Sequence, residues 1–212
     1  MLYLKSFCFN PFQENTYVLY NDNLETLIID PGNYTSSENN EIKDFILTKK
    51  LKPGRLLLTH AHIDHILGSK FMLDTYGLLP EVHQEDVYFI ERMLQSAALY
   101  GINCEASPLP EKFIKEGDVI RLGNYELLCL FTPGHSPGSI SFYNKENKFL
   151  IGGDVLFRGS IGRSDLPRGD HKTLIKSIRE KLLILDDDTK VYSGHGPSTD
   201  IGYERLNNPF LI

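Results

Sequence analysis

The sequence predicts an α/β fold in which sheets carry helices on their outer faces. Short apolar or alternating runs, typical of strands, occur in groups along the chain. Longer segments with apolar residues at helical spacing lie between these groups. The chain has 212 residues, 41% of them hydrophobic, which is enough to form one sizeable core. We therefore expect a single domain over residues 1–212.

The first half of the chain should alternate between strands and helices. Short apolar or alternating runs predict strands at Leu2–Phe9, Thr16–Tyr20, Thr26–Ile29 and Arg55–Leu58. Apolar residues three and four apart predict helices at Glu38–Lys49, His65–Tyr76 and Glu85–Tyr100. Asp30-Pro31-Gly32 has the chemistry of a turn and should end the third strand, and Gly77 should end the second helix.

The second half repeats this pattern. Strands are expected at Val119–Leu122, Glu126–Phe131, Ser139–Tyr143, Phe149–Ile151 and Val191–Ser193. Gly123-Asn124 separates the first two of them and is suited to a hairpin turn. Lys172–Leu183 is predicted to be a helix.

Composition excludes several classes of function. The formal net charge is -6, and no basic stripe is visible that could grip a phosphate backbone, so we expect no nucleic-acid partner. No apolar run approaches the length of a membrane span, and the first residues do not resemble a signal peptide. The three scattered cysteines make a poor disulfide framework and fit a reducing compartment. A cytoplasmic protein without a membrane partner is therefore expected.

The segment RLLLTHAHIDHILGS, residues 55–69, carries the strongest chemical signal. Three histidines and an aspartate (His60, His62, Asp64 and His65) fall within six residues, directly after an apolar run. Burying so many titratable groups is costly unless they are paired or bound to metal. Imidazole and carboxylate ligands without cysteine suit zinc or iron better than calcium or magnesium.

Further His and Asp residues follow other predicted strands. His135 ends CLFTPGH, Asp154 ends FLIGGD and His195 ends VYSGH. Since ligands bind at the carboxyl ends of strands in open α/β sheets, we expect these residues to gather at one crevice with the first group. The two other histidines, His83 and His171, are interpreted as ordinary polar residues.

The motif THAHIDH at residues 59–65, followed by His135, Asp154 and His195 in order, resembles the metallo-β-lactamase superfamily. The stretches GGDVLFRGSIGRSDLPRGD and GHGPSTDIGYERLNNPFLI are similar to those of short single-domain hydroxyacylglutathione hydrolases, or type II glyoxalases. This resemblance implies a four-layer αββα sandwich with a binuclear metal site at the edge of the sheets. It also implies that the C-terminal helical glutathione-binding domain of the two-domain glyoxalases is absent.

The resemblance assigns a role to each ligand-type residue. Within the family, residues matching His60, His62 and His135 hold the first metal, and residues matching Asp64, His65 and His195 hold the second. Asp154 matches the carboxylate that bridges them, and Asp30 matches an aspartate behind the site. Two divalent metal ions are therefore expected, zinc first, with iron or manganese as alternatives.

The activity implied is hydrolysis of a small acyl thioester, favoured as a 2-hydroxyacyl (lactoyl) thioester of glutathione or another small thiol. A metal-bridging hydroxide would attack the carbonyl, with Asp64 as the catalytic residue that orients it. Arg163 matches a basic substrate-binding residue, whereas Asp165 and Pro197 stand where glutathione-contacting tyrosines occur in the family.

A second class of enzyme is also similar over this core. Persulfide dioxygenases hold one iron with residues matching His60, His135 and Asp154, and they share a GRSD-like stretch. A mononuclear iron persulfide dioxygenase is therefore the alternative to the hydrolase. The ending SGHGPST favours the hydrolase.

Overall fold

The computed structural model describes all 212 residues, Met1–Ile212. Two compact units make up the chain. The first contains Met1–Phe113 and Leu122–Tyr125, and the second contains Ile114–Arg121 and Glu126–Ile212. Each unit has its own helices and a six-stranded sheet.

The sheet of the first unit combines antiparallel and parallel pairing. Its strands, in spatial order, are β1 Leu2–Phe9, β2 Glu14–Asn21, β3 Glu25–Ile29, β4 Lys52–Leu57, β5 Pro80–Val82 and β6 Lys112–Phe113. The first three are antiparallel neighbours, whereas β3 to β6 run parallel. The four strands predicted in this half are confirmed, while β5 and β6 are too short to leave a periodic signal.

The first helix, α1 Ser36–Thr48, confirms the predicted one and shows why it begins where it does. The Thr35 side chain accepts a hydrogen bond from the Glu38 amide, and the Glu38 carboxylate accepts one from the Thr35 amide. This capping box satisfies two donors that a helix start would otherwise expose. Ile42 and Ile46 point into a core formed with β1 to β4.

The prediction of one continuous helix at His65–Tyr76 is wrong. The segment consists of α2 Ile63–Ile66 and α3 Ser69–Tyr76. The break lies at Gly68, whose amide donates to the Pro31 carbonyl at 2.7 Å instead of continuing the helix. A side chain at Gly68 would collide with the buried Asn33 side chain, so a larger residue would require Asn33 to move. Gly77 ends α3 with φ 69°, as expected.

The prediction of a single helix at Glu85–Tyr100 is also wrong. A 3₁₀ turn at Gln84–Asp86 leads into α4 Val87–Glu91, and α5 Met93–Tyr100 follows. Arg92, with φ −106° and ψ 11°, interrupts the two helices. Its guanidinium lies 4.0 Å from the centre of the Tyr88 ring, a cation–π contact one turn earlier. No proline or glycine marks this break in the sequence.

The sheet of the second unit contains a parallel pair among antiparallel strands. Its strands, in spatial order, are β14 Thr199–Asp200, β13 Lys190–Ser193, β10 Phe149–Gly153, β9 Ile140–Asn144, β8 Tyr125–Phe131 and β7 Val119–Leu122. Strands β10 and β13 are parallel, and β9 is antiparallel to both β8 and β10. A separate two-stranded ribbon is formed by β11 Leu156–Phe157 and β12 Ser160–Ile161. All five strands predicted in this half are confirmed.

Helices of the second unit pack on a core that includes Leu150, Leu174, Val191 and Ile201. The predicted helix Lys172–Leu183 is observed as α6 His171–Ser177 followed by a π-helical turn at Ile178–Leu182. The last helix is α7 Ile201–Asn207. No helix in the structure combines the length and the apolar character needed to cross a membrane.

Candidate metal centre

In the first unit, the parallel pairing of β3 and β4 brings two loops together. Ile29 pairs with Leu57, so Asp30 and Thr59 leave the sheet side by side. The buried Asp30 carboxylate accepts hydrogen bonds from the Thr59 amide at 2.7 Å and from the Thr59 hydroxyl at 2.6 Å. This pair fixes the start of the histidine segment against the end of β3.

Asp30 also orients His65. The Nδ1 atom of His65 lies 3.1 Å from Asp30 Oδ2, and both side chains are fully buried. A carboxylate at this atom favours the tautomer with the proton on Nδ1. The other ring nitrogen, Nε2, lies 3.7 Å from Asp64 Oδ2.

His60 and His62 stand next to His65. The ring centres of His60 and His65 are 4.0 Å apart, and those of His60 and His62 are 4.8 Å apart. His60 Nδ1 lies 3.1 Å from the Thr59 hydroxyl oxygen, whose own proton goes to Asp30. The Phe89 ring packs edge-on against His62 at 4.8 Å and supplies an apolar wall. The structure therefore brings together all four ligand-type residues predicted in this segment.

Two buried polar side chains hold this segment in place and were not predicted from the sequence. Asp86 accepts a hydrogen bond from the Ala61 amide at 2.8 Å, between the two histidines. Asn10 donates to the backbone carbonyls of Gly32 and Asp64, both at 2.9 Å. With φ 53°, Asn10 adopts a left-handed conformation that asparagine tolerates better than most residues.

A third unpredicted group, Glu14, lies completely buried behind the segment. Its carboxylate accepts a hydrogen bond from the Thr16 hydroxyl at 2.9 Å, and its other oxygen lies 3.8 Å from His65 Nδ1. Burial raises the pKa of Glu14 well above its usual range, although the nearby His65 opposes that rise. Glu14 therefore belongs to the polar layer behind His65.

In the second unit, strand direction explains how the remaining ligand-type residues converge. Strands β8 and β10 run the same way because each is antiparallel to β9, and β13 is parallel to β10. All three carboxyl ends therefore lie at one edge. His135, Asp154 and His195 follow those ends in turn.

Asp154 stands between the two histidines of this unit. Its Oδ2 atom is 3.5 Å from His135 Nε2 and 3.5 Å from His195 Nε2. The Asp154 and His135 side chains are 11% and 4% exposed, whereas His195 is 26% exposed. The site thus has a buried side and a side open to solvent.

The loop after β12 supports this group from behind. The Arg163 carbonyl accepts a hydrogen bond from His135 Nδ1 at 2.7 Å, which again leaves Nε2 as the nitrogen facing the carboxylate. Gly162 packs so closely that a side chain there would overlap the Asp154 carbonyl oxygen and press on His135 Cβ. The side chain of Arg163 pairs with Asp165, and both side chains are largely exposed.

The two other histidines have local structural roles. His83 accepts a hydrogen bond from the Glu85 amide at the start of the 3₁₀ turn, and partial burial lowers its pKa. His171 begins α6, with its Nδ1 atom 3.3 Å from the Ser164 hydroxyl.

The spacing of the nitrogen and oxygen atoms fits a shared cation better than direct hydrogen bonds. Hydrogen bonds between nitrogen and oxygen are typically 2.7–3.2 Å long. Two ligand atoms about 2.1 Å from a tetrahedral cation lie about 3.4 Å apart. The distances from Asp154 Oδ2 to His135 and His195 are close to that second value, and the distance from Asp64 to His65 is only slightly longer.

The outer atoms of the rings support the same conclusion. In His60, His65 and His135, Nδ1 lies next to an oxygen atom of Thr59, Asp30 and Arg163 respectively. Metal-binding histidines almost always use their second nitrogen in this way, because the bond fixes the tautomer and the ring orientation. The residues of both units therefore fit metal ions, and Asp30, which already has three polar contacts, acts as an orienting group.

Comparison with known proteins agrees with this geometry. The family model of the metallo-beta-lactamase superfamily matches residues 9–195. Probable metallo-hydrolase YqgX of Bacillus subtilis is 42% identical over 203 residues, which cover 95% of this chain and 93% of the relative. Hydroxyacylglutathione hydrolase GloC of Haemophilus influenzae is 39% identical over 202 residues, covering 94% and 93% respectively.

Solved structures share the fold over almost the whole chain. The BLEG-1 B3 metallo-beta-lactamase superposes with a TM-score of 0.90 at 38% identity, covering 99% of both chains. TTHA1623 in a di-iron-bound form gives 0.87 at 36% identity, covering 98% of this chain and all of the other. ETHE1 from Myxococcus xanthus gives 0.78 at 22% identity, covering 98% and 83%, and so shares the fold alone.

These similarities confirm the α/β fold expected from the resemblance. They span both units, and the matched segment runs from the end of β1 to His195, the last of the predicted ligands. The chain belongs to the metallo-β-lactamase superfamily of metal-binding hydrolases.

Proposed function

We propose that this protein is a metal-dependent thioester hydrolase with two divalent cations. His60, His62 and His135 would hold the first cation and Asp64, His65 and His195 the second, with Asp154 shared between them. The observation that carries this proposal is the pair of 3.5 Å distances from Asp154 Oδ2 to His135 and His195. One carboxylate oxygen at that spacing from two imidazoles is suited to a bridging role.

Zinc is the first candidate for both cations. Imidazole nitrogen and carboxylate oxygen are ligands that zinc, iron and manganese all accept, and none of the proposed ligands is a cysteine. The di-iron form of TTHA1623, at 36% identity, supports iron as an alternative. The ligand types therefore favour a divalent cation such as zinc, iron or manganese.

The proposed reaction adds water across a thioester. The water oxygen bonds to the carbonyl carbon, the carbon–sulfur bond breaks, and the thiolate leaves and takes a proton. When bound, the cations would lower the pKa of a coordinated water and polarise the carbonyl oxygen. Asp64, whose side chain is 14% exposed, would accept a hydrogen bond from the attacking water and orient it.

The substrate is proposed to be a small 2-hydroxyacyl thioester, such as a lactoyl thioester of glutathione or another small thiol. GloC supports this proposal, because it is described as a hydroxyacylglutathione hydrolase and is 39% identical over most of both chains. Arg163 is proposed to contact the thiol portion of the substrate. The three cysteines form no disulfide, which supports the cytoplasm as the place of action.

Two competing activities must be separated from this one. A mononuclear iron persulfide dioxygenase is the alternative, because the resemblance to those enzymes includes residues matching His60, His135 and Asp154. BLEG-1, described as a B3 metallo-beta-lactamase at 38% identity, adds β-lactam hydrolysis as a further candidate.

Three assays on one metal-loaded preparation test the proposal. They measure thiol release from lactoylglutathione without oxygen, oxygen uptake with glutathione persulfide, and hydrolysis of a chromogenic cephalosporin. We expect thiol release to dominate. Oxygen uptake that survives His65→Ala, together with negligible thiol release, would transfer the assignment to the dioxygenases. Efficient cephalosporin hydrolysis without thiol release would transfer it to the β-lactamases.

A further inference from the structure

Arg163 and Asp165 form a two-pronged ion pair on the second unit. Arg163 Nε donates to Asp165 Oδ1 and Arg163 Nη2 donates to Asp165 Oδ2, both at 2.9 Å. The side chains are 68% and 70% exposed. The Arg163 guanidinium also holds the pKa of Asp165 below its usual range, so the carboxylate is charged at neutral pH.

The pair is fixed close to the proposed ligands of its unit. The Arg163 backbone carbonyl accepts the hydrogen bond from His135 Nδ1, and the preceding Gly162 packs against Asp154. Between the two residues of the pair, the Ser164 hydroxyl contacts His171. The main chain is therefore held at Gly162, Arg163 and Ser164, while the charged groups of the pair remain in solvent.

The geometry of this pair has a consequence for recognition. The planar guanidinium fork is the side chain best suited to bind a carboxylate with two parallel hydrogen bonds. Asp165 already uses two donors of that fork, and its charge cancels that of Arg163. A substrate carboxylate must therefore displace Asp165, or bind without full charge complementarity.

We propose that Asp165 is a specificity residue that screens Arg163 and lowers the preference of the site for carboxylate-bearing thiol carriers. The enzyme would then favour acyl thioesters of thiols that bring no carboxylate to this position. This inference rests on the proposed thioesterase function. Because exposed ion pairs contribute little free energy, the screening is partial and its removal should change affinity by about two- to fivefold.

Kinetics with two thioesters test the specificity. We compare lactoylglutathione with the lactoyl thioester of N-acetylcysteamine, which is uncharged. Asp165→Asn should raise the ratio of kcat/KM for the charged over the neutral thioester by about two- to fivefold, mainly through KM. The gain should disappear when Arg163→Gln is added, because the two residues would act as a unit.

Asp188→Asn is the matched control. Asp188 is also an exposed carboxylate of the second unit and pairs with Lys148 at 2.7 Å. Its substitution makes the same change of charge and should leave the substrate ratio unaltered. An equal rise in the ratio for Asp188→Asn would mean that net charge, and not the Arg163 pair, sets the preference.

A binding measurement separates this inference from the proposed reaction. Calorimetry of metal-loaded protein with S-methylglutathione, which cannot be hydrolysed, should show about two- to fivefold tighter binding to Asp165→Asn than to the unaltered protein. The dimethyl ester of the same compound should bind both proteins equally. The difference should shrink at high salt, since exposed charges are screened.

Several outcomes would overturn the inference. These are equal binding of S-methylglutathione to both proteins, undetectable binding to both, or the same gain with the dimethyl ester. If the binding difference is present but no thioester is hydrolysed, the proposed function fails and the screening of Arg163 stands.

Discussion

His65 Nδ1 lies 3.1 Å from Asp30 Oδ2, and neither side chain is accessible to solvent. The contact joins the loop after β3 to the histidine segment after β4, because the two strands are parallel neighbours. The Asp30 carboxylate holds the Thr59 amide and hydroxyl at the same time. One buried aspartate thus fixes both the backbone and one ring of the proposed metal site.

Asp30→Asn should weaken metal binding without removing a ligand. Asparagine no longer enforces the Nδ1 proton on His65, so the ring presents Nε2 to the metal less well. Loss of such an orienting partner typically costs about 10- to 100-fold in metal affinity. A metal titration against a competing chelator measures the change.

The control for that substitution is Asp44→Asn on the exposed side of α1, which makes the same change of charge in the same unit. It should leave metal affinity unaltered. If Asp30→Asn also retains full affinity, the orienting role of Asp30 is wrong.

Asn10→Gly should destabilise the protein while keeping the left-handed backbone that glycine allows. The substitution removes the hydrogen bonds to the Gly32 and Asp64 carbonyls and the one that Asn10 Oδ1 accepts from the Phe12 amide. We expect the free energy of unfolding to fall by about 1–3 kcal/mol from these lost bonds, as measured by denaturant unfolding.

Lys50→Gly serves as the comparison, because Lys50 is exposed and also has a positive φ, 56°. It removes no buried hydrogen bond and should not lower stability. Equal effects of the two substitutions would show that the Asn10 side chain contributes nothing specific.

Gly162→Ala should damage the His135 and Asp154 pair. The added methyl group would overlap the Asp154 carbonyl oxygen, so the loop must shift away from both residues. We expect weaker metal binding and a lower melting temperature of the metal-loaded protein. Gly152→Ala provides the control, because its methyl group would meet its nearest neighbour, Val191, at an ordinary 3.6 Å. A Gly162→Ala protein that binds metal like the Gly152→Ala protein would contradict the close packing described for this loop.

Removal of metal should lower the melting temperature. Metal that binds only the folded state stabilises it by about 4 kcal/mol when the metal concentration is a thousand times Kd. Imidazole ligands must be neutral to bind, so affinity should fall as the pH drops below about 6. Thermal unfolding with and without metal measures both effects when it is followed from about pH 5 to about pH 8, the range over which histidine changes its charge. Equal melting of the two forms over that range would refute the coupling.

Much of the site could be predicted from the sequence because its ligands obey two short-range rules. His60, His62, Asp64 and His65 lie within six residues just after β4, and each remaining ligand follows the carboxyl end of an apolar strand. Strands such as β1 and β2 were predictable for a similar reason, since each contains a local run of mostly apolar residues.

The supporting residues could not be predicted because their contacts are distant in sequence. Asn10 is 54 residues from Asp64, and Asp86 is 25 residues from Ala61. Nothing in their local sequence distinguishes them from ordinary turn residues. The helix break at Arg92 was also missed, because no proline or glycine marks it in the sequence.

The central claim is that these residues hold two cations that together hydrolyse a thioester. The most direct measurement is the anaerobic rate of thiol release from lactoylglutathione as zinc is added stepwise to metal-free protein. We expect the rate to rise until about two equivalents are bound, and His65→Ala to bind about one and to be slower by on the order of a hundredfold. A rate that saturates at one equivalent and is unchanged by His65→Ala, or no thiol release at any loading, would contradict the account.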